Sequence, residues 1–290
     1  MSISELSKAW ANHNRKFASF GFVYPVISRR AKGLSIGVNC TPNGGCSFNC
    51  VYCQAGTVAA RLTPCSTPAI DEIIFELKEI LSIYRQTKLA GHFAGIPEEN
   101  RILRDIALSG DGEPTLYPGF AELCEALKEI QNKMPETKLV LITNATQICE
   151  ENKKAVRGIE FLTSQNGEIW GKLDAGTDEC LQFINRPAKK TNIAKIEDNL
   201  RFIVSKFPLR IQTMLCEYSG KAPSEQELEC YSQIVKRIYE ANPQNLLSVQ
   251  LYSVARQVMD NSVKQLSKDF LHNVQEKIKE KVSNLTVEVF

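Results

Sequence analysis

From Leu34 to the C-terminus, short apolar runs alternate with longer stretches whose apolar residues recur at i, i+3, i+4 and i+7, and no other feature constrains the fold as tightly. The first run covers residues 34–39. Thr67 and Pro68 offer an N-cap and a first-turn proline for a helix with Ile70, Ile73, Ile74, Leu77, Ile80, Leu81 and Tyr84 on one face. A strand over 102–109 follows, then a helical stripe of Phe120, Leu123, Cys124, Leu127 and Ile130. Residues 138–143, Lys-Leu-Val-Leu-Ile-Thr, read as a strand buried on both faces, as parallel sheets require. A helix around Ala155, a strand over 168–174, helical segments over 179–184 and 192–205 and a strand over 209–216 continue the pattern. Ser224 and Glu227 have the capping-box spacing and open a helix running to Tyr239. A strand over 247–253, a helix over 263–282 and a closing strand over 285–290 complete it. Seven strands with six intervening helical segments imply parallel βαβ units, hence an α/β fold: a partial (β/α)6 barrel of TIM type.

Ahead of the first of these strands, residues 1–33 read as a basic arm, in which Lys8, Arg15, Lys16, Arg29, Arg30 and Lys32 face one acid, Glu5. A helix over 4–20 precedes Val23-Tyr-Pro-Val-Ile, which Pro25 keeps from being a central strand. The arm is either a patch that approaches phosphate or a solvated surface segment. Residues 34–290 contain no linker and read as one domain, a length that single α/β barrels routinely reach. The balance of 35 Lys and Arg against 33 Asp and Glu, net +2, points to neither nucleic acid nor a membrane surface. Ten cysteines without regular spacing outside 46–53 do not form the disulfide framework of a small secreted domain. Charges occupy the N-terminus where a signal peptide needs its apolar core, and no run reaches the ~18–20 apolar residues of a membrane span. The expectation is a cytoplasmic protein without a membrane partner.

Chemistry concentrates in Cys46-Ser-Phe-Asn-Cys50-Val-Tyr-Cys53. Thiolates are soft ligands, and iron–sulfur clusters are held by several at short spacing. Three local thiols leave one iron of a four-iron cluster open to a substrate or cofactor. The competing readings are a zinc site, which ordinarily presents paired CxxC units or histidines, and three unrelated buried cysteines. In parallel α/β barrels the loops after the strands gather at one face. The cysteine loop, Gly110-Asp-Gly-Glu-Pro, Thr143-Asn144, Asp174, and Gln250 with Tyr252 all follow or end strands, so five polar stations are expected around one mouth.

The CxxxCxxC spacing with Tyr52 before the last cysteine resembles the signature of the radical S-adenosylmethionine (radical SAM) superfamily. Within it, Leu108-Ser-Gly-Asp-Gly-Glu-Pro-Thr-Leu-Tyr-Pro118, Thr143-Asn144, Leu173-Asp174-Ala175 and Asn185-Arg186-Pro187 are similar to motifs of the wyosine-synthase-like branch. The resemblance implies that Cys46, Cys50 and Cys53 hold one [4Fe-4S] cluster and that S-adenosylmethionine binds its open iron. It implies that Tyr52 packs near the adenine and that the cofactor meets Gly110, Gly112 and Glu113, the last two at the methionine amine. Asn144 and Asp174 are expected at the sugar, methionine or substrate, and Gln250, Tyr252 and Arg256 are candidates on the last strand. No catalytic residue is assigned. Archaeal wyosine synthases carry three further cysteines well upstream, whereas only Cys40 precedes Cys46 here, so a second cluster is not expected. Lys32 is the nearest lysine for the pyruvate-binding role known in that branch. A fused flavodoxin-like domain is also missing, which implies an external flavodoxin- or ferredoxin-type electron donor. Two substrate classes remain open: a tRNA base, with tRNA as partner, or a peptide or glycyl-radical enzyme. A structural iron–sulfur or zinc module is the non-enzymatic alternative.

Overall fold

A computed structural model describes residues 17–42, 44–55, 67–187, 191–255 and 258–290. The expected helix over 4–20, apart from its last residues, lies outside the described residues, as do Lys8, Arg15, Lys16, Cys65 and Arg256. The strands are β1 (Val23–Ser28), β2 (Gly33–Val38), β3 (Leu103–Leu108), β4 (Lys138–Thr143), β5 (Gly167–Lys172), β6 (Leu209–Met214), β7 (Cys216–Tyr218), β8 (Leu246–Tyr252), β9 (Val263–Gln265) and β10 (Val287–Val289). The main helices are α1 (Ile70–Thr87), α2 (Phe120–Gln131), α3 (Lys153–Thr163), α4 (Ile193–Lys206), α5 (Glu225–Ala241) and α6 (Lys268–Lys281).

Eight strands form one sheet in the order β1-β2-β3-β4-β5-β6-β8-β10. All neighbours are parallel except β1, which pairs antiparallel with β2 from Val23↔Val38 to Ser28↔Gly33. Pro25 therefore sits on an edge strand, where its missing N–H costs no ladder bond. Residues 23–33, read from sequence as part of the arm, belong to this sheet. The edges β1 and β10 do not pair, so the barrel is partial. No helix among the described residues is long and apolar enough to cross a membrane.

The strand pattern has two faces because side chains alternate. Leu34, Ile36, Ile106, Leu108, Leu139, Leu141, Ile169, Ile211, Val249 and Leu251 are fully buried with helix residues such as Leu77, Leu127, Ile159, Leu200, Val235 and Ile278. Each such side chain contributes about 1.5–3 kcal/mol by leaving water. The alternate positions are largely polar: Ser35, Asp105, Lys138, Glu168, Arg210, Ser248 and Glu288 make up a luminal layer joined by hydrogen bonds.

Three expected boundaries differ. Helix α1 starts at Ile70 rather than at Pro68: Glu72 accepts the Ala69 N–H at 3.2 Å, and the Pro68 carbonyl is taken by the Tyr117 hydroxyl at 2.7 Å. The expected strand over 209–216 ends at Met214, and Cys216–Tyr218 leaves the sheet to pair with β9. The expected helix over 263–282 begins only at Lys268, where Ser267 caps it by accepting the Phe270 N–H at 3.1 Å.

Candidate active site

The chain leaves β2 at the barrel mouth and forms the cysteine loop. Its backbone is tied to the π-type turn Leu181–Asn185, with Asn49 N donating to Asn185 O at 3.0 Å and Val51 N to Ile184 O at 2.9 Å. Cys46, Cys50 and Cys53 are free thiols, each partly exposed. Backbone N–H groups approach two of them, Phe48 N at 3.4 Å from Cys46 Sγ and Ala55 N at 3.4 Å from Cys53 Sγ. Two asparagines brace the loop from opposite sides. Asn144 Nδ2 lies 3.8 Å from Cys46 Sγ and donates to Ser47 Oγ at 2.9 Å, while Asn185 Nδ2 donates to Cys50 Sγ at 3.4 Å.

Burial, then the Glu113 charge, pushes the Cys46 thiol pKa far up; burial, then Asp174, raises Cys50 to about 11. These thiols are protonated at neutral pH until a cation supplies the compensating field, and its binding releases their protons. The donor set fits an iron–sulfur cluster: soft sulfur ligands, with N–H groups aimed at the sulfurs. Among the described residues no three Cys, His, Asp or Glu side chains converge on one point as ligands of a single ion. Thiolates of a four-iron cluster each bind a different iron and need no such convergence.

Gly112 lies against the cysteine loop so closely that a Cβ there would sit 2.2 Å from Gly44 O and 2.4 Å from Gly45 O. Glu113 N donates to Gly45 O at 2.9 Å, which locks the two loops together. The Glu113 carboxylate is buried and turned away from the mouth, accepting from Thr143 Oγ1 at 2.6 Å, Thr115 Oγ1 at 2.5 Å and Asn144 N at 2.8 Å. Asn144 is likewise a brace, because its Oδ1 accepts from Thr146 Oγ1 at 2.8 Å while its amide holds Ser47.

Asp174 organises the other side. Its Oδ2 accepts from the Tyr52 hydroxyl and from Asn185 Nδ2 at 2.7 Å; its Oδ1 accepts from Met214 N at 2.8 Å and pairs with Lys172 Nζ at 3.0 Å. Lys172 also donates to the Tyr252 hydroxyl at 2.7 Å. Burial opposes the Lys172 charge, but Asp174 outweighs it and holds its pKa above the ordinary lysine value. Burial, then Asp174, raises the Tyr52 pKa, so its phenol stays protonated.

A cavity of about 310 Å³ opens beside these groups, lined among others by Tyr52, Cys53, Gly110, Gly112, Trp170 and Tyr252. Gln250 lies deeper, accepting from Gln212 at 3.0 Å and donating to Glu288 at 3.3 Å, away from that lining. Lys32 is on the outside, with its Nζ 3.7 Å from Glu288 and its side chain 73% exposed. Lys172, Asn185 and Arg30 were not singled out as site residues from sequence. Lys172 was signalled by a charge at an inward position of an otherwise apolar strand, and Asn185 by the Asn-Arg-Pro motif alone.

A curated relative, a UPF0026 protein of Synechocystis sp., is 30% identical over 221 residues, 74% of this chain and 72% of its own length. Another, named GTPase Obg, from Brachyspira hyodysenteriae, is 29% identical over 177 residues, which is 61% of this chain but 22% of that protein. Among solved structures, TYW1 with a lysine–pyruvate adduct bound superposes with TM-score 0.58 at 18% identity, covering 95% of this chain and 81% of that one, a likeness of fold. The family model described as the radical SAM superfamily matches residues 41–211, from the start of the cysteine loop into β6. By that match, spanning well over half its length, the chain belongs to the radical SAM superfamily of iron–sulfur, S-adenosylmethionine-dependent enzymes.

Proposed function

We propose that this enzyme holds a single [4Fe-4S] cluster on Cys46, Cys50 and Cys53 and acts on a nucleic-acid base, with a tRNA as the substrate-bearing partner and an external one-electron donor. The observation that carries the cluster assignment is the loop bearing the three thiols, braced by Asn144 and Asn185 at the mouth of the 310 Å³ cavity. When bound, the cluster and S-adenosylmethionine supply reductive cleavage of the sulfonium to a 5′-deoxyadenosyl radical, which abstracts hydrogen from the substrate.

The chain's own residues then have definable tasks. Asn144 and Asn185 hold Cys46 and Cys50 and donate hydrogen bonds towards their sulfurs, which favours the more negative, reduced state. Gly110 and Gly112 line the cavity and leave room for a cofactor against the backbone. Tyr52 and Tyr252 supply aromatic lining, fixed through Asp174 and Lys172. A base reaches such a cavity only when unstacked from its neighbours, as in a tRNA loop. The tRNA reading draws support from the motifs over 108–118, 143–144, 173–175 and 185–187.

The test is anaerobic reconstitution with dithionite and S-adenosylmethionine, with and without bulk tRNA. Cys50→Ala is expected to abolish both the visible charge-transfer absorption and methionine release, and a variant that kept both would overturn the cluster assignment. Stimulation of 5′-deoxyadenosine by tRNA supports the base; stimulation by a peptide pool alone would move the substrate to the peptide class.

A further inference from the structure

The luminal cations divide into two groups. Lys138 and Arg210 share Glu168, and Lys172 pairs with Asp174. Arg29 and Arg30, in the turn between β1 and β2, are different: among the described residues neither guanidinium has a carboxylate within ion-pair distance. Both are half-buried, and both line the same cavity as Tyr52 and Cys53. The Arg30 guanidinium lies 4.9 Å from the Tyr252 ring centre and 5.7 Å from that of Trp170, so aromatic faces fix it and point it inward. Burial, then repulsion from Arg30, lowers the Arg29 pKa. Asp105, an acidic side chain on the cavity wall, is engaged by the Ser35 hydroxyl, and the Arg30 charge acts on it across the lumen. Two adjacent, partly desolvated guanidinium groups with no carboxylate at ion-pair distance among the described residues are costly unless something anionic completes them, and the Asp105 charge that Arg30 feels offsets only part of that cost.

We infer that Arg29 and Arg30 form an oxyanion subsite on the cavity wall, which takes a phosphate or carboxylate group of the ligand that shares the lumen with the cofactor. Guanidinium forks match both anions bidentately, and lysines at these positions would not. Asp105 opposes the anion when ionised, so it tunes the site rather than building it. The inference deepens the proposed function only in placing this group within reach of the same cavity, and its test needs no turnover.

Equilibrium dialysis of the reconstituted full chain against radiolabelled inorganic phosphate measures the subsite directly, with acetate and adenosine 5′-monophosphate as competitors. Saturable phosphate binding is expected. Arg30→Gln should weaken it by about tenfold to a hundredfold, the loss of a charge-assisted bidentate contact. Arg30→Lys should recover only part, and Asp105→Asn should tighten binding at pH 8. Those opposite signs separate a local effect from a folding defect. Competition by the nucleotide at lower concentration than by acetate identifies a phosphoryl group carried by the substrate; stronger competition by acetate identifies a free small acid. Absence of saturable binding, equal binding by Arg30→Gln, or weaker binding by Asp105→Asn would overturn the subsite. Cleavage of S-adenosylmethionine, assayed separately on the same preparation, reports on the cluster assignment alone.

Discussion

Single side chains carry much of what was hidden from sequence. Asn185 is one: its amide bridges Cys50 Sγ at 3.4 Å, Tyr52 Oη at 3.2 Å and Asp174 Oδ2 at 2.7 Å, yet in sequence it is only the first letter of a short motif. Asn185→Leu is expected to shift the reduction potential of the reconstituted protein to more negative values, because a hydrogen bond to sulfur favours the reduced cluster. Its stability should fall by about 1–3 kcal/mol through loss of a donor to Asp174; an unchanged potential in a spectroscopic redox titration would contradict the bracing role. Asp105 is the second residue. Burial raises its pKa to about 6 from an ordinary 3.8. The folded state therefore prefers the protonated form, and the stability this residue contributes is complete below about pH 3.8 and lost as pH rises through 6. Asp105→Asn, which keeps the acceptor for Ser35, should gain stability relative to the parent on going from pH 4 to pH 8, by on the order of 2–3 kcal/mol. Urea unfolding of both proteins at the two pH values measures this, and a difference independent of pH would refute it.

Among the elements, those with strong periodicity were legible and those defined by a tertiary contact were not. The runs behind β2, β3, β4, β5, β8 and the stripes behind α1 and α2 were readable because each buries one continuous apolar set. Val263 also has an apolar side chain in a helix-compatible pattern, but it is drawn into the small hairpin of β7 and β9 beside Val51 and Ile184, a contact invisible to local spacing. The capping box at Ser224 was half right. Ser224 Oγ accepts the Glu227 N–H at 3.2 Å, as the spacing requires. The Glu227 carboxylate instead leaves its own helix, accepting from Gly176 N and, at 2.6 Å, from Thr177 Oγ1. It thereby ties α5 to the loop that follows Asp174. Glu227→Ala should cost about 2–3 kcal/mol, more than the fraction of a kcal/mol expected of a surface box residue, because it strands the buried Gly176 N–H and the half-buried Thr177 hydroxyl. Hydrogen exchange should open first at the Gly176 amide, the backbone donor that Glu227 holds; equal protection there in parent and variant would reduce Glu227 to a local cap.

At the scale of the whole barrel, the sequence predicted a sheet and a mouth but not a charged lumen. The sequence reads Glu-Ile-Trp-Gly-Lys in β5 as a strand and gives its charged residues no role, although Glu168 meets Lys138 and Arg210 of the neighbouring strands. Glu168 is the hub: it pairs with Lys138, accepts from Arg210 Nε at 2.5 Å and from Trp170 Nε1 at 3.2 Å, and Arg210 continues to Ser248 Oγ at 2.8 Å. Burial opposes the Glu168 charge, but Arg210 and Lys138 outweigh it and hold its pKa below the ordinary glutamate value. The stability it contributes is thus present above that ordinary value and lost as pH falls through the lowered one. Glu168→Gln removes the shared anion and leaves two cations facing each other across strands β4 and β6. The expected cost is about 2–4 kcal/mol at pH 7, below the full penalty for a buried pair because the Lys138 side chain is 40% exposed. Adding Arg210→Met to Glu168→Gln should restore part of the loss, since it removes one stranded charge and fills the space with an apolar chain of similar length. The measurement is the urea midpoint of the parent and the two variants at pH 7 and near pH 3. A cost that persists undiminished in acid, or a double variant no more stable than the single one, would mean that packing around Trp170 rather than charge holds this layer of the barrel together.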